Sequence, residues 1–313
     1  MSEQSTPSEV ERQLSDLSRT IDDVITFDEL RPRLGCGRPL RIKYGVDVTA
    51  PFLHIGHAVN LWMMRCLQEW GHVVVFLIGD FTTRIGDPTG KTEARAIPNR
   101  VEIEQNAERF IEQVGAVLLT DHEVFEVRRN SEWYEGMSLD EFLSLASMVT
   151  HARLIERDMF QQRIASRREI HVHELLYPMR QGYDSYMLGS GLTIVGTGQL
   201  FNELMERFYQ ERFGQSPRVV VTTKITPGID GKQKQSKSLG NYIALADTPR
   251  DKFGKTMSIP DELILPYFEV YTEETLEDVD EFLFGHPMEA KKRLAEAVVA
   301  RYHGDDVARA ERE

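Results

Sequence analysis

A chain of 313 residues, 41% of them hydrophobic, has the length for one large domain plus a smaller one and can bury a substantial core. Its formal charge of −13 argues against a protein held to nucleic acid by bulk charge, although a local basic patch on an acidic body remains compatible with it. Cys36 and Cys66 have no zinc or disulfide spacing, the start "MSEQSTPSEVERQ" has no signal-peptide core, and the longest apolar run, "HVVVFLIG", is too short to cross a bilayer, so a cytoplasmic protein without membrane contact is expected.

In chain order, residues 1 to about 8 read as unstructured, and a helix follows before a Pro/Gly turn at "RPRLGCGRP". "LRIKYGVD", 40–47, reads as a short strand. "HAVNLWMMRCLQEWG" reads as a helix closed by Gly71, with apolar residues at 59, 62, 63, 66 and 67. "HVVVFLIGD" is a continuous β-branched run, as expected of a strand buried on both faces. Strand, helix and strand within about 40 residues form a right-handed βαβ unit and imply a parallel sheet. Further strands are expected at 192–195 and 218–223, with a mostly helical stretch over roughly 100–189 between the first unit and these. From Ser258 onward the pattern is helical, and Ser258, Pro260 and Asp261 make an N-terminal signature. "GDDVARAERE" reads as the start of a linker or an exposed helix.

Four stretches carry candidate chemistry. "LHIGHAV" places His54 and His57 three apart. A metal pair would need further ligands; Asp47, His171 and His173 are available, but no zinc-like spacing ties them together. Plain packing is the second reading. The favoured one is phosphate binding: the pair follows a strand and a loop with Asp47 and Thr49, and opens a helix whose free N–H groups attract anions. Gly56 there permits close backbone approach. "GDPTGKT", 86–92, imitates a phosphate-binding P-loop but is one residue short, with Ile85 where the first glycine should stand. "KQKQSKSLGN", 232–241, is either a solvated loop or a mobile arm that carries cations to developing negative charge. "YPMRQGYD" sets Tyr177, Gln181 and Asp184 at i, i+4 and i+7, a polar stripe on one helical face that would suit the wall of a pocket.

Together these segments resemble the class I aminoacyl-tRNA synthetases, and more closely the bacterial tyrosyl-tRNA synthetases. "HIGH" at 54–57 matches the first signature of that family, and "KQSKS" at 234–238 matches the second, usually KMSKS. "GVDVTAP", "IGDFTTRIGDPTGK", "NSEW", "LLYPMRQGYDS", "KSLGNYI" and "FGKTMSIPDEL" are also similar to tyrosyl-type segments, and the likeness runs from about residue 10 to the end. The resemblance implies an α/β fold: a Rossmann-like, doubly wound parallel sheet over 1–225, with a helical insertion around 100–189 used in dimerisation, then a signature loop and α-helical domain over 226–313.

It further implies activation of tyrosine, or a close analogue, by ATP with Mg²⁺, and transfer of the acyl group to tRNA by a homodimer, with no protein-borne metal site. His54, His57, Lys234 and Lys237 would be catalytic, the histidines on the ATP phosphates and the lysines on the leaving pyrophosphate. Gly56, Thr49, Gly196, Gly198 and Ser236 would bind ATP. Asp87, Tyr177 and Gln181, with Thr82 nearby, would hold the substrate ammonium. Asp184 would accept the phenol O–H, and Asp47 and Gln199 would lie along the substrate. Departures are Gly198 for an aspartate beside the ATP ribose, Val48 for proline, Arg180 for an apolar residue, Lys43 where many members have tyrosine, and Gln235 for methionine. The chain also stops where members usually continue into a small RNA-binding domain. Three functions are therefore weighed: a tyrosine–tRNA ligase core, a paralogue that passes a tyrosyl-type adenylate to another acceptor, and a nucleotide-binding protein without catalysis. The retained signatures speak against the third.

Overall fold

Six strands form the sheet that organises the chain, in the order β1-β6-β5-β2-β3-β4. They are β1 (Ile21–Ile25), β2 (Arg41–Val46), β3 (Val73–Ile78), β4 (Phe125–Arg129), β5 (Leu192–Gly196) and β6 (Val219–Thr223). A computed structural model describes residues 6–49, 52–84, 99–236, 239–275, 277–279 and 286–313. β2 to β6 run parallel, and β1 is antiparallel to β6 at the edge. Among the parallel strands the order β4-β3-β2-β5-β6 is a doubly wound sheet whose direction of winding reverses between β2 and β5. Those two strands pair through Ile42–Leu192 and Lys43–Thr193. Beyond these pairs, the carboxyl ends of β2 and β5 flank the crevice where ligands bind in such sheets.

The helices in chain order are α1 (Pro7–Ser18), α2 (Phe27–Leu34), α3 (Ile55–Glu69), α4 (Arg100–Val114), the short α5 (Ser131–Tyr134), α6 (Leu139–Ser147), α7 (His151–Ile155) and α8 (Asp158–Ala165), then α9 (Val172–Leu188), α10 (Leu200–Arg212), α11 (Pro249–Met257), α12 (Ile264–Tyr271), α13 (Pro287–His303) and α14 (Asp305–Arg312). None of the helices among the described residues is long and apolar enough to cross a membrane.

The strand–helix–strand unit expected at 40–79 is present as β2, α3 and β3, with Gly71 at φ +85° closing the helix. β3 buries Val74, Val75, Phe76, Leu77 and Ile78 almost completely, as its unbroken apolar run requires. The stretch 100–189 is mostly helical, as expected, and also contains one short strand, β4, which pairs with β3. Its sequence, FEVRR, is short and charged, as edge strands commonly are, and it carries no apolar run. In the C-terminal part, Ser258 caps the end of α11 and does not begin a helix. α1 begins already at Pro7, where Thr6 and Glu9 form a capping box.

One core lies against the sheet and includes Leu30, Ile42, Leu61, Val74, Phe76 and Ile194. A second joins Ile55 and Val59 at the start of α3 to Ile259, Tyr267, Phe268, Leu294 and Val298. Helix α3 therefore belongs to both cores, which fixes its amino terminus at the mouth of the crevice.

Candidate functional site

Above the carboxyl ends of β2 and β5 opens a cavity of about 810 Å³. It runs from His54, His57, Gln235 and Ser236 at one end to Lys43, Asp184 and Glu203 at the other. Its polar wall combines the loop after β2, the start of α3, the interior of α9 and the first turns of α10.

The first signature and the stretch that follows the second meet at this mouth. Ile55 N–H donates to Ile243 O and Leu245 N–H to Leu53 O, both at 3.0 Å, and His54 bridges to Ala244. Buried Lys252 holds that stretch from behind, with Nζ donating to the carbonyls of Ala244, Leu245 and Asp247 at 2.9, 2.9 and 3.2 Å. Burial lowers its pKa to about 8. The imidazoles of His54 and His57 lie 3.8 Å apart, centroid to centroid. His57 Nδ1 accepts the His54 backbone N–H at 3.3 Å, so the neutral ring carries its proton on Nε2, where it can donate. Gly56 has a role beyond ligand approach. A Cβ there would stand 3.0 Å from His54 Nδ1 and 3.5 Å from Gln235 Nε2, so the glycine lets the His54 ring and the second signature close on the helix start.

Midway along the cavity, Asp47 accepts from Tyr177 Oη at 2.8 Å and from Thr82 Oγ1 at 2.9 Å. Gly79 permits this. A Cβ on it would lie 2.6 Å from Asp47 Oδ1 and 2.5 Å from Thr82 Oγ1, closer than real carbon atoms approach. Val48 has a use for the N–H that a proline would lack, because it donates to Thr83 Oγ1 at 3.0 Å.

At the buried end, Asp184 Oδ1 accepts from Trp133 Nε1 at 2.9 Å and Oδ2 from Asn130 Nδ2 at 3.3 Å. Burial pushes its carboxyl up to about 7, against the downward pull of Lys43 and of the two hydrogen bonds. Beside it lies an ion cluster. Lys43 Nζ meets Glu206 Oε2 at 2.8 Å, Arg218 pairs with both Glu203 and Glu206, and Gln181 Nε2 bridges the two carboxylates. Glu203 is pushed up as well, again chiefly by burial.

The cavity gathers eleven of the residues expected at the site: Asp47, Thr49, His54, His57, Thr82, Tyr177, Gln181, Asp184, Gly196, Gln199 and Ser236. Gly56, Gly198 and Lys234 do not line it, and Lys234 is exposed beside it. A side chain at Gly198 would meet nothing within 4 Å. Lys237 and Asp87, with the P-loop-like stretch 86–92, lie outside the described residues. Arg180 also stays out of the cavity; its guanidinium sits over Phe81 at 5.2 Å and Phe142 at 5.6 Å. Among the described residues no group of three side chains is arranged to hold a metal ion.

Sequence reasoning assigned no role to Asn130, Trp133, Glu203, Glu206 and Arg218. The first two lie in "NSEW". Glu203 and Glu206 follow Gln199 at i+4 and i+7, the same offsets that marked Tyr177, Gln181 and Asp184, so a facing polar stripe on α10 was readable.

Residues 36–313 match the family described as tRNA synthetases class I (W and Y). The tyrosine–tRNA ligase of Moorella thermoacetica is 46% identical over 316 residues, covering 97% of this chain and 76% of that protein. That of Oleidesulfovibrio alaskensis is 45% identical over 306 residues, covering 96% and 77%. Among solved structures, tyrosyl-tRNA synthetase from Archaeoglobus fulgidus complexed with L-tyrosine superposes with a TM-score of 0.76 at 23% identity, covering 97% of this chain and 100% of that one. A C-terminally truncated mitochondrial tyrosyl-tRNA synthetase from Aspergillus nidulans gives 0.76 at 21% identity, covering 98% and 95%. At such identities these two structures speak for the shared fold.

Proposed function

Because the chain belongs to the tRNA synthetases class I (W and Y), we infer that it is the catalytic core of a tyrosine–tRNA ligase, which activates tyrosine with ATP and passes the acyl group to tRNA. The observation that carries this reading is a single cavity that joins the His54–His57 pair at a helix start to a buried carboxyl at Asp184.

In the first step a carboxylate oxygen of tyrosine bonds to the α-phosphorus of ATP. The bond to the bridging oxygen breaks, and pyrophosphate leaves with that electron pair. In the second, a terminal ribose hydroxyl of tRNA attacks the acyl carbon and AMP departs. No side chain need act as a nucleophile, so the protein's contribution is alignment and charge. We assign His54 and His57 to the phosphates, with His57 Nε2–H as donor. Lys234 and Lys237 take the pyrophosphate, Lys234 as an arm from the rim. Thr49, Gly56, Gly196, Gly198 and Ser236 hold the nucleotide. Asp47 and Gln199 flank the substrate, and Asp87, Tyr177 and Gln181, with Thr82, take its ammonium. Mg²⁺ would arrive on the ATP phosphates, neutralising their charge, as this ion commonly does.

A homodimer formed through the helices between β4 and α9 fits the exposure of Leu139 and Leu143, 71% and 54%. For tRNA, Arg167 and Arg168 are exposed. Arg163 is committed elsewhere, since it pairs with Glu174. The cytoplasm, where ATP and tRNA coexist, is the compartment we assign.

Asp184 sets the choice of amino acid in this reading. Tyrosyl-tRNA synthetases are themselves the standard example of strong discrimination between tyrosine and phenylalanine, and the same physics applies here: phenylalanine brings no donor to the lone pairs that Trp133 and Asn130 leave on a buried carboxyl. Asp184→Asn should shrink the preference for tyrosine over phenylalanine, measured as a ratio of kcat/KM in ATP–pyrophosphate exchange, by about 1–3 kcal/mol. An unchanged ratio would mean that Asp184 does not face a phenol. The reading as a whole is tested by the same exchange reaction with tyrosine as the amino acid; an enzyme inert with every aromatic amino acid would sink it.

A further inference from the structure

Gln181 is gripped from α10. Its Nε2 donates to Glu206 Oε1 at 2.8 Å and to Glu203 Oε1 at 3.2 Å. An amide turned the other way would set its oxygen against two acceptors, so these neighbours permit one orientation. The carboxylates are themselves fixed. Arg218 pairs with both, Lys43 Nζ meets Glu206, and all four charged side chains are nearly or fully buried. With both amide hydrogens engaged on α10, the amide oxygen is the group Gln181 can offer to the cavity it lines.

We propose that Glu203 and Glu206 are positioning residues that lock the Gln181 amide with its oxygen toward the substrate, which makes it an acceptor for the α-ammonium. The proposal rests on the tyrosine–tRNA ligase reading. An ammonium group has three donors and no acceptor, so a reversed amide would present N–H against N–H. A charge-assisted bond to a fixed oxygen replaces that clash. The buried ion cluster, which a phenol does not require, thereby acquires a task at the other end of the amino acid.

The test is a cycle of variants read with two ligands: tyrosine as substrate, and tyrosine lacking its amino group as a competitive inhibitor. Glu203→Gln, which can either accept from or donate to Gln181, should raise the KM for tyrosine about tenfold. The inhibition constant of the deaminated analogue and the KM for ATP should stay put. Gln181→Met, which leaves the ion pairs in place, should show the same selective loss. Glu203→Gln added to Gln181→Met should then change nothing further. Equal losses for tyrosine and its deaminated analogue would show general damage to the pocket and overturn the proposal. So would an unaltered KM for tyrosine, or a Glu203→Gln effect that persists in full beside Gln181→Met. If Glu203→Gln does not fold, Glu206→Gln releases the other amide hydrogen and takes its place in the cycle. Absence of exchange in the parent enzyme would instead be a failure of the ligase reading.

Discussion

His57→Ala lowers the rate of tyrosine-dependent ATP–pyrophosphate exchange by about 10²–10³-fold, the usual cost of losing one donor aimed at transition-state charge. The imidazole lines the cavity, its Nδ1 accepts the His54 N–H, and the proposed function assigns its Nε2–H to a phosphate oxygen. The fold should tolerate the change. The first turn of α3 is closed by backbone bonds, His57 N–H at 2.8 Å and Ala58 N–H at 3.3 Å to His54 O, and alanine is a good helix former. The loss should fall on kcat more than on the KM for ATP, because the charge being stabilised develops as pyrophosphate departs. Exchange within a few-fold of the parent rate would leave the His54–His57 pair with a packing role alone.

The second large effect concerns stability. Arg218 is fully buried and pairs with Glu203 and Glu206; its Nη1 also donates to Ser185 Oγ at 2.6 Å. Arg218→Met removes one of the cluster's two cations and keeps most of the volume, so two buried carboxylates are left with Lys43 alone. Breaking a buried pair in this way costs about 3–5 kcal/mol. A urea titration at neutral pH should show the midpoint falling accordingly. The pH dependence has a definite sign. Carboxyls held above their ordinary range are protonated more readily in the folded chain than in the unfolded one, so their contribution to stability falls as pH rises through that interval. In the parent, burial already pushes the Asp184 carboxyl up to about 7. The Arg218→Met deficit should therefore grow from acid to neutral pH. A deficit independent of pH would mean that lost packing, not stranded charge, is what the arginine prevents. Converting Glu203 alone to glutamine alongside Arg218→Met, which keeps the Lys43–Glu206 pair, should recover part of the loss.

Much of the site was readable because its chemistry lies in contiguous segments with strong local constraints. The helix start at His54, the stripe of Tyr177, Gln181 and Asp184, and the apolar run of β3 are each legible within about twenty residues. The missed elements depend on tertiary context. β1 and β4 are short edge strands with charges, whose pairing is set by neighbours far along the chain. Arg218 looks like a surface residue before a strand, and only the fold brings two glutamates of α10 against it. Arg163 lies close to the exposed Arg167 and Arg168 in sequence, but the fold pairs it with Glu174. Arg180, beside Gln181 in sequence, points to the other side of α9, as residues one apart on a helix must diverge.

The most direct test of the central claim follows labelled tyrosine onto tRNA. Purified chain, ATP, Mg²⁺ and a tyrosine tRNA, combined at low salt where phosphate contacts are strongest, should yield acylated tRNA. Formation should depend on tyrosine and collapse with His57→Ala. Charging together with pyrophosphate exchange is the expected result. Vigorous exchange with no acylation of any tyrosine tRNA, even at high enzyme concentration, would contradict it and point to a different acceptor for the adenylate.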